Sequence, residues 1–184
     1  MKTLAILGTI GVLVLFFVVG YFGFQNTANV HENGIIAQYD VNKNVYDNGW
    51  KEIKEMAQIP DMYTGQLEKL YKVALEGRYG ADGSKAMMQF IQEQNPTIDS
   101  SLFRQIQQSI EIFRKRFTAE QTALVSRKQA YRNYLTGTFS GRLYNSIAGG
   151  YPKIDMTKYD IVTSDKTEED FGTKRSRPLD FKQD

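Results

Sequence analysis

No cysteine occurs in the chain. That excludes disulfides, thiolate zinc sites and cysteine nucleophiles, but leaves the redox compartment open, because a cysteine-free chain survives in either. His31 is the one histidine, so any site needing two imidazoles is excluded as well. Only four prolines occur in 184 residues, which suits long uninterrupted helices better than a loop-rich β fold. Charge of one sign is lacking too. The formal net charge is +2, and that balance does not call for nucleic acid or an acidic substrate as partner. No glycine-rich phosphate loop, serine elbow or zinc-ligand spacing is found.

What the chain does have is one long hydrophobic run. Leu4 to Phe24 reads LAILGTIGVLVLFFVVGYFGF, 21 residues without a charge. As a helix at about 1.5 Å per residue it spans about 31 Å, close to the roughly 30 Å hydrocarbon core of a bilayer. Membrane lipid is therefore the expected partner of Leu4 to Phe24, with Tyr21, Phe22 and Phe24 at the interface. A cleaved signal peptide is the rival reading. Its apolar region is usually shorter and ends in a small-x-small site, where this chain has Gly20-Tyr21-Phe22-Gly23-Phe24. Lys2 is the one basic side chain before the run, and apart from His31 none follows until Lys43. The positive-inside bias then places the remaining domain outside the cytoplasm.

After the run, Tyr39, Asn42, Tyr46, Gly49, Ile53 and Met56 step by three and four, predicting an amphipathic helix. Ile59-Pro60-Asp61 breaks it. A second helix is predicted from Met62 to Arg78, a glycine-bearing loop from Tyr79 to Ser84, and a short helix from Lys85 to Gln94. The strongest period follows. Phe103, Ile110, Phe117, Leu124 and Tyr131 recur every seven residues. Ile106, Phe113 and Tyr134 hold the companion position, where Glu120 and Arg127 interrupt. Such a seam in one helix from Asp99 to Thr136 requires partner helices. Gly137 closes that helix, and Phe139 to Ala148 adds a last short one, apolar at Phe139, Leu143, Tyr144 and Ile147. From Lys153 the chain is charged and aperiodic, with opposed clusters at Glu168-Glu169-Asp170 and Lys174-Arg175-Ser176-Arg177-Pro178. It reads as a tail either disordered or draped on the bundle.

The expected fold is all-α: an N-terminal transmembrane helix, an elongated antiparallel helical bundle and an irregular C-terminal tail. The expected divisions are residues 1–25, 26–152 and 153–184.

Three short motifs carry a resemblance. The hydrophobic run leads straight into a long polar helix. Ile59-Pro60-Asp61-Met62-Tyr63 opens a helix ending Leu70-Tyr71-Lys72-Val73-Ala74-Leu75-Glu76-Gly77-Arg78. Arg142-Leu143-Tyr144-Asn145-Ser146-Ile147 precedes Tyr151-Pro152. In these the chain resembles the LemA family of single-pass bacterial membrane proteins over about Gly20 to Pro152. The family usually carries two arginines and an aspartate before its Ile-Pro step, where this chain has Glu52, Lys54 and Glu55. The resemblance implies an anchored helical bundle and no catalytic residues.

Candidate chemistry is sparse. His31-Glu32 supplies two metal-ligand types, too few for a site and adjacent in sequence, so a solvated pair beside the membrane is expected. Glu52 and Glu55 lie three apart, as an acid–base pair in glycan cleavage could, but they alternate with Lys51 and Lys54 as on an ordinary charged helix surface. Arg104, Arg114, Lys115, Arg116, Arg127, Lys128 and Arg132 make the long helix basic on its outer side. Phosphate or anionic lipid could bind there. Glu111 and Glu120 dilute the run, and the helix's aromatics sit on the seam, so a solvated face is expected. The resulting expectation is a non-enzymatic interaction or scaffold module of the cell envelope, without cofactor or metal. It would bind a protein partner or itself through the bundle, and no nucleic acid. An envelope hydrolase using Glu52 and Glu55, and a membrane-remodelling protein, are the alternatives.

Overall fold

The computed structural model describes residues 2–76, 80–163 and 172–173. Its order is α1 (Lys2–Met56), a 3-10 turn (Asp61–Tyr63), α2 (Thr64–Glu76), α3 (Gly80–Gln94), α4 (Ser100–Thr136), α5 (Phe139–Ile147) and a second 3-10 turn (Met156–Tyr159). No strand occurs among the described residues, so the fold is all-α. The clusters at 168–170 and 174–178 lie outside the described residues.

Helix α1 is one uninterrupted element of 55 residues. The polar step after Phe24 does not break it, because Gln25, Asn26 and Thr27 are tolerated in a helix that lacks proline throughout. Phe24, Ala28, Glu32, Ile35, Gln38, Asn42, Val45, Gly49 and Ile53 form its buried stripe, stepping by three and four. The stripe's middle is polar, at Glu32, Gln38 and Asn42.

The helix ends in a Schellman arrangement. Ile59 N–H donates to Lys54 O over 3.1 Å and Gln58 N–H to Glu55 O over 3.1 Å. Gln58 takes the left-handed backbone conformation that this closure requires, with φ 52°. Pro60 then prevents the helix from resuming.

The loop expected from Tyr79 to Ser84 is corrected: Gly80 to Ser84 belong to α3, and Tyr79 lies outside the described residues. Propensity argues against Gly80 and Gly83 in a helix, but by only about 1 kcal/mol each, which packing of the following apolar positions outweighs. Met87, Met88, Phe90 and Ile91, further along the same helix, are all buried.

The chain divides into two compact units. The first joins α1 up to Val41 with residues 122–160. Within it α1 and α4 run antiparallel, since Phe24 meets Tyr134, Glu32 meets Tyr131 and Gln38 meets Arg127. Its core is Phe24, Ala28, Ile35, Leu124, Tyr131 and Leu135. Tyr151, and from the expected tail Ile154, Met156 and Tyr159, pack on this core.

The second unit joins residues 42–121 with the stretch beginning at Ile161. Here too α1 and α4 are antiparallel, with Tyr46 near Phe117 and Met56 accepting from Ser109. Its core includes Ile53, Leu67, Tyr71, Met87, Ile91, Ile106 and Ile110. Tyr71 reaches α1 at Gly49, where a β-carbon would lie 1.8 Å from the tyrosine hydroxyl oxygen. Glycine is required there by close approach. Of the heptad positions of α4, Ile106, Ile110, Phe113, Phe117, Leu124 and Tyr131 are buried, while Phe103 and Tyr134 are half-buried.

Candidate functional site

The first functional feature is the N-terminal part of α1. Leu4, Ile6, Leu7, Ile10, Val12 to Val19 and Phe22 are all exposed. The helix is long and apolar enough to cross a membrane, and its most apolar window is uncovered by any described residue. A core helix of a water-soluble domain would bury such side chains, at roughly 1.5–3 kcal/mol each. The exposed run stops before Phe24. Phe24 is buried, stacked on Tyr134 with centroids 5.3 Å apart, and touches Tyr144 and Tyr151 at 6.0 and 5.8 Å. The last residue of the hydrophobic run, Phe24, therefore belongs to the protein core, which the run's uniform composition hides.

A polar junction follows along the same helix. Gln25 Nε2 donates to the Tyr21 hydroxyl over 2.7 Å, and the Tyr134 hydroxyl donates to Phe24 O over 3.2 Å. Two turns further on stands Glu32, only 5% exposed. Its Oε1 accepts from the Tyr131 hydroxyl over 2.7 Å and from the Lys153 backbone N–H over 2.6 Å. Lys153 Nζ in turn donates to Ala148 O and Gly149 O, each at 3.2 Å, beyond the C-terminal end of α5. His31 lies against the rings of Tyr131 and Tyr134 at 5.5 and 5.2 Å. The expectation of a solvated His31-Glu32 pair is thus overturned. Glu32 falls on the buried stripe, and its polarity is matched by donors from α4 and from the segment after α5.

Burial, reinforced by the Glu32 bond and charge, raises the Tyr131 hydroxyl far above the usual tyrosine range. Burial, with Glu32 second, raises Tyr151 in the same direction. Both stay protonated donors at any physiological pH. The cluster is consequently a fixed hydrogen-bonded lock, tying α1, α4 and residues 148–153 together.

Two of the basic residues assigned to a solvated face are also structural. Arg127 Nε donates to buried Gln38 over 3.2 Å. Lys128 Nζ donates to Met156 O and Tyr159 O at 3.2 and 3.0 Å and pairs with Asp160. These contacts put Lys128 on the packed side of α4, where it satisfies carbonyls of an irregular segment. Lys115 keeps to the exposed surface, paired with Glu111 at 2.8 Å.

Glu52 and Glu55 are both exposed near the end of α1. Their neighbours Lys51 and Lys54 are paired elsewhere, with Asp47 and Asp61 at 2.5 Å each. A glycosidase pair works from a cleft that closes over the sugar. Glu55 borders a shallow groove with Trp50, Gln58, Ile59 and Asp61, and Glu52 does not line it. No group of three or more metal-ligating side chains occurs among the described residues.

No family model, no curated protein and no solved structure matches this chain.

Proposed function

We propose that this chain is a membrane-anchored, non-catalytic interaction module, held in the bilayer by the exposed part of α1 and presenting its helices on one side. The observation that carries this reading is the uncovered apolar surface from Leu4 to Val19 on a helix that continues unbroken into a packed domain. Continuity also favours a retained anchor over a cleaved leader. Cleavage near Gly20 to Phe24 would cut α1 in mid-helix and remove ring contacts made by Phe24. The resemblance to LemA proteins points the same way and adds no chemistry of its own.

The positive Lys2 side of the span argues for a domain outside the cytoplasm. Self-association, or contact with another envelope protein, is the role that the long helical surface serves best. Thiol labelling tests the topology, because the chain has no cysteine of its own. In intact cells, Asn26→Cys and Ser126→Cys should both react with a membrane-impermeant maleimide. Reaction only after lysis would reverse the orientation. Crosslinking in native membranes tests the interaction role, and recovery of monomer alone would count against it.

A further inference from the structure

Helix α5 sits against the apolar part of α1, within the first unit. The Tyr144 ring lies 5.5 Å from Phe17 and 6.0 Å from Phe24 between centroids. Its hydroxyl occupies the space where a β-carbon on Gly20 would stand, 2.2 Å away. Along α1, Phe17 and Gly20 are about 20 and 24 Å from Leu4 at ~1.5 Å per residue. The hydrocarbon core is roughly 30 Å thick. A helix touching α1 at that level cannot stand clear of a bilayer that takes in the exposed run from Leu4.

The composition of α5 suits that depth. At ~100° per residue its nine residues form two apolar faces. One face, through Gly141 and Tyr144 and continued by Ala148 just past the helix, packs on the end of α4 and on α1. The other carries Phe139, Leu143 and Ile147, which are 82%, 38% and 48% exposed and stack one turn above another. The described residues leave this second face partly open at all three positions. Ser140, Arg142 and Ser146 flank it, and Arg142 also donates to Thr136 O over 3.0 Å. The backbone of α5 is hydrogen-bonded internally and begun by Thr138, whose hydroxyl accepts from Gly141 N at 2.9 Å. Lowering it into the headgroup–acyl boundary therefore strands few polar groups.

We infer that α5 is an interfacial helix whose Phe139, Leu143 and Ile147 insert into the lipid surface beside the span. This rests on the anchoring reading above and extends it. The bundle is then attached by two elements fixed to each other through Tyr144. A single helix leaves a domain free to rotate about the span; a second, lateral contact sets which face of the bundle meets the membrane.

The test uses the full chain with single cysteines at Leu13, Leu143 and Ser126, each carrying an NBD fluorophore, in phosphatidylcholine–phosphatidylglycerol vesicles. Circular dichroism checks that each variant is folded, and Phe139→Cys repeats the α5 measurement at the more exposed position. The NBD group at Leu143 should be quenched several-fold more by lipid with doxyl near the headgroup than by lipid with doxyl near the chain end, and be shielded from iodide. That at Leu13 should respond most to the deep doxyl, and that at Ser126 to iodide alone. Iodide quenching at Leu143 equal to that at Ser126, with Leu13 still in lipid, would overturn the interfacial role and leave the anchor standing. Shielding at Leu143 from both quenchers, with self-quenching that grows with protein-to-lipid ratio, would assign the face to a second copy and overturn the lipid contact. Iodide quenching at Leu13 would remove the anchor itself.

Discussion

Tyr131 donates its hydroxyl to Glu32 across 2.7 Å, joining two buried side chains that stand 99 residues apart in the chain. The bond closes α4 onto α1 about two turns beyond Phe24, where α1 leaves its exposed apolar part. The same carboxylate oxygen holds the Lys153 amide, so one acidic residue fixes three segments.

Tyr131→Phe removes one donor and leaves the buried carboxylate short of a partner. Such a change costs about 1–3 kcal/mol. The expected result is a lower denaturant midpoint with an unchanged slope, measured on the full chain in detergent micelles. Glu32→Gln should be milder, since an amide oxygen accepts the same bonds without a buried charge.

Alkaline pH should weaken the fold. Tyr131 and Tyr71 are both raised in the folded state, in each case by burial first. A raised folded value means that the protonated hydroxyl is the form the fold favours. Its contribution is complete below the unfolded tyrosine value of about 10 and is lost as pH climbs beyond it. Thermal melts at successive pH values should be flat on this account up to about pH 10 and fall above it. In Tyr131→Phe the fall should be shallower.

Gly49 and Tyr71 predict a compensating pair. A β-carbon at residue 49 would meet the tyrosine hydroxyl at 1.8 Å and its ring carbon at 2.8 Å. Gly49→Ala should therefore destabilise by about 1–3 kcal/mol through overpacking. The Tyr71 hydroxyl is buried without a hydrogen-bond partner, so Tyr71→Phe should be neutral or stabilising. The double variant should recover part of the loss, which a double-mutant cycle by chemical denaturation measures directly.

Gln58 stands in the left-handed region at the end of α1. Glycine takes that conformation without a steric penalty, so Gln58→Gly should stabilise by roughly 0.5–1 kcal/mol. A rise in melting temperature is the readout.

Glu52→Gln with Glu55→Gln should leave stability within about 0.5 kcal/mol, as for exposed positions away from caps and cores. A loss of cellular phenotype in this folded double variant would support the hydrolase alternative.

The helices were largely legible in the sequence because their signals are periodic. The seven-residue recurrence from Phe103 to Tyr131 marks the buried seam of α4, and Ile59-Pro60 marks the end of α1. What escaped was polar burial. Glu32 and Gln38 lie on the inner stripe of α1, but their charge or amide makes them read as surface, and only partners distant in sequence, Tyr131 and Arg127, make them affordable inside. Lys128 was misplaced for the same reason, since the carbonyls it satisfies belong to an aperiodic segment. The junction at Phe24 was hidden differently. A membrane span and a protein core select the same side chains, so hydrophobicity alone cannot mark where lipid gives way to Tyr134 and Tyr144.

Alkaline carbonate extraction of membranes, followed by intact-mass measurement, tests the anchor most directly. The full chain should stay in the membrane pellet with the residues of the apolar run intact. The variant carrying Leu13→Lys and Phe16→Lys should move to the supernatant, because each charge near mid-span costs about 2.5–3.5 kcal/mol and both positions are exposed, outside the packed core. Release of the unaltered chain by carbonate, or a mature mass beginning beyond Phe24, would contradict a retained transmembrane helix.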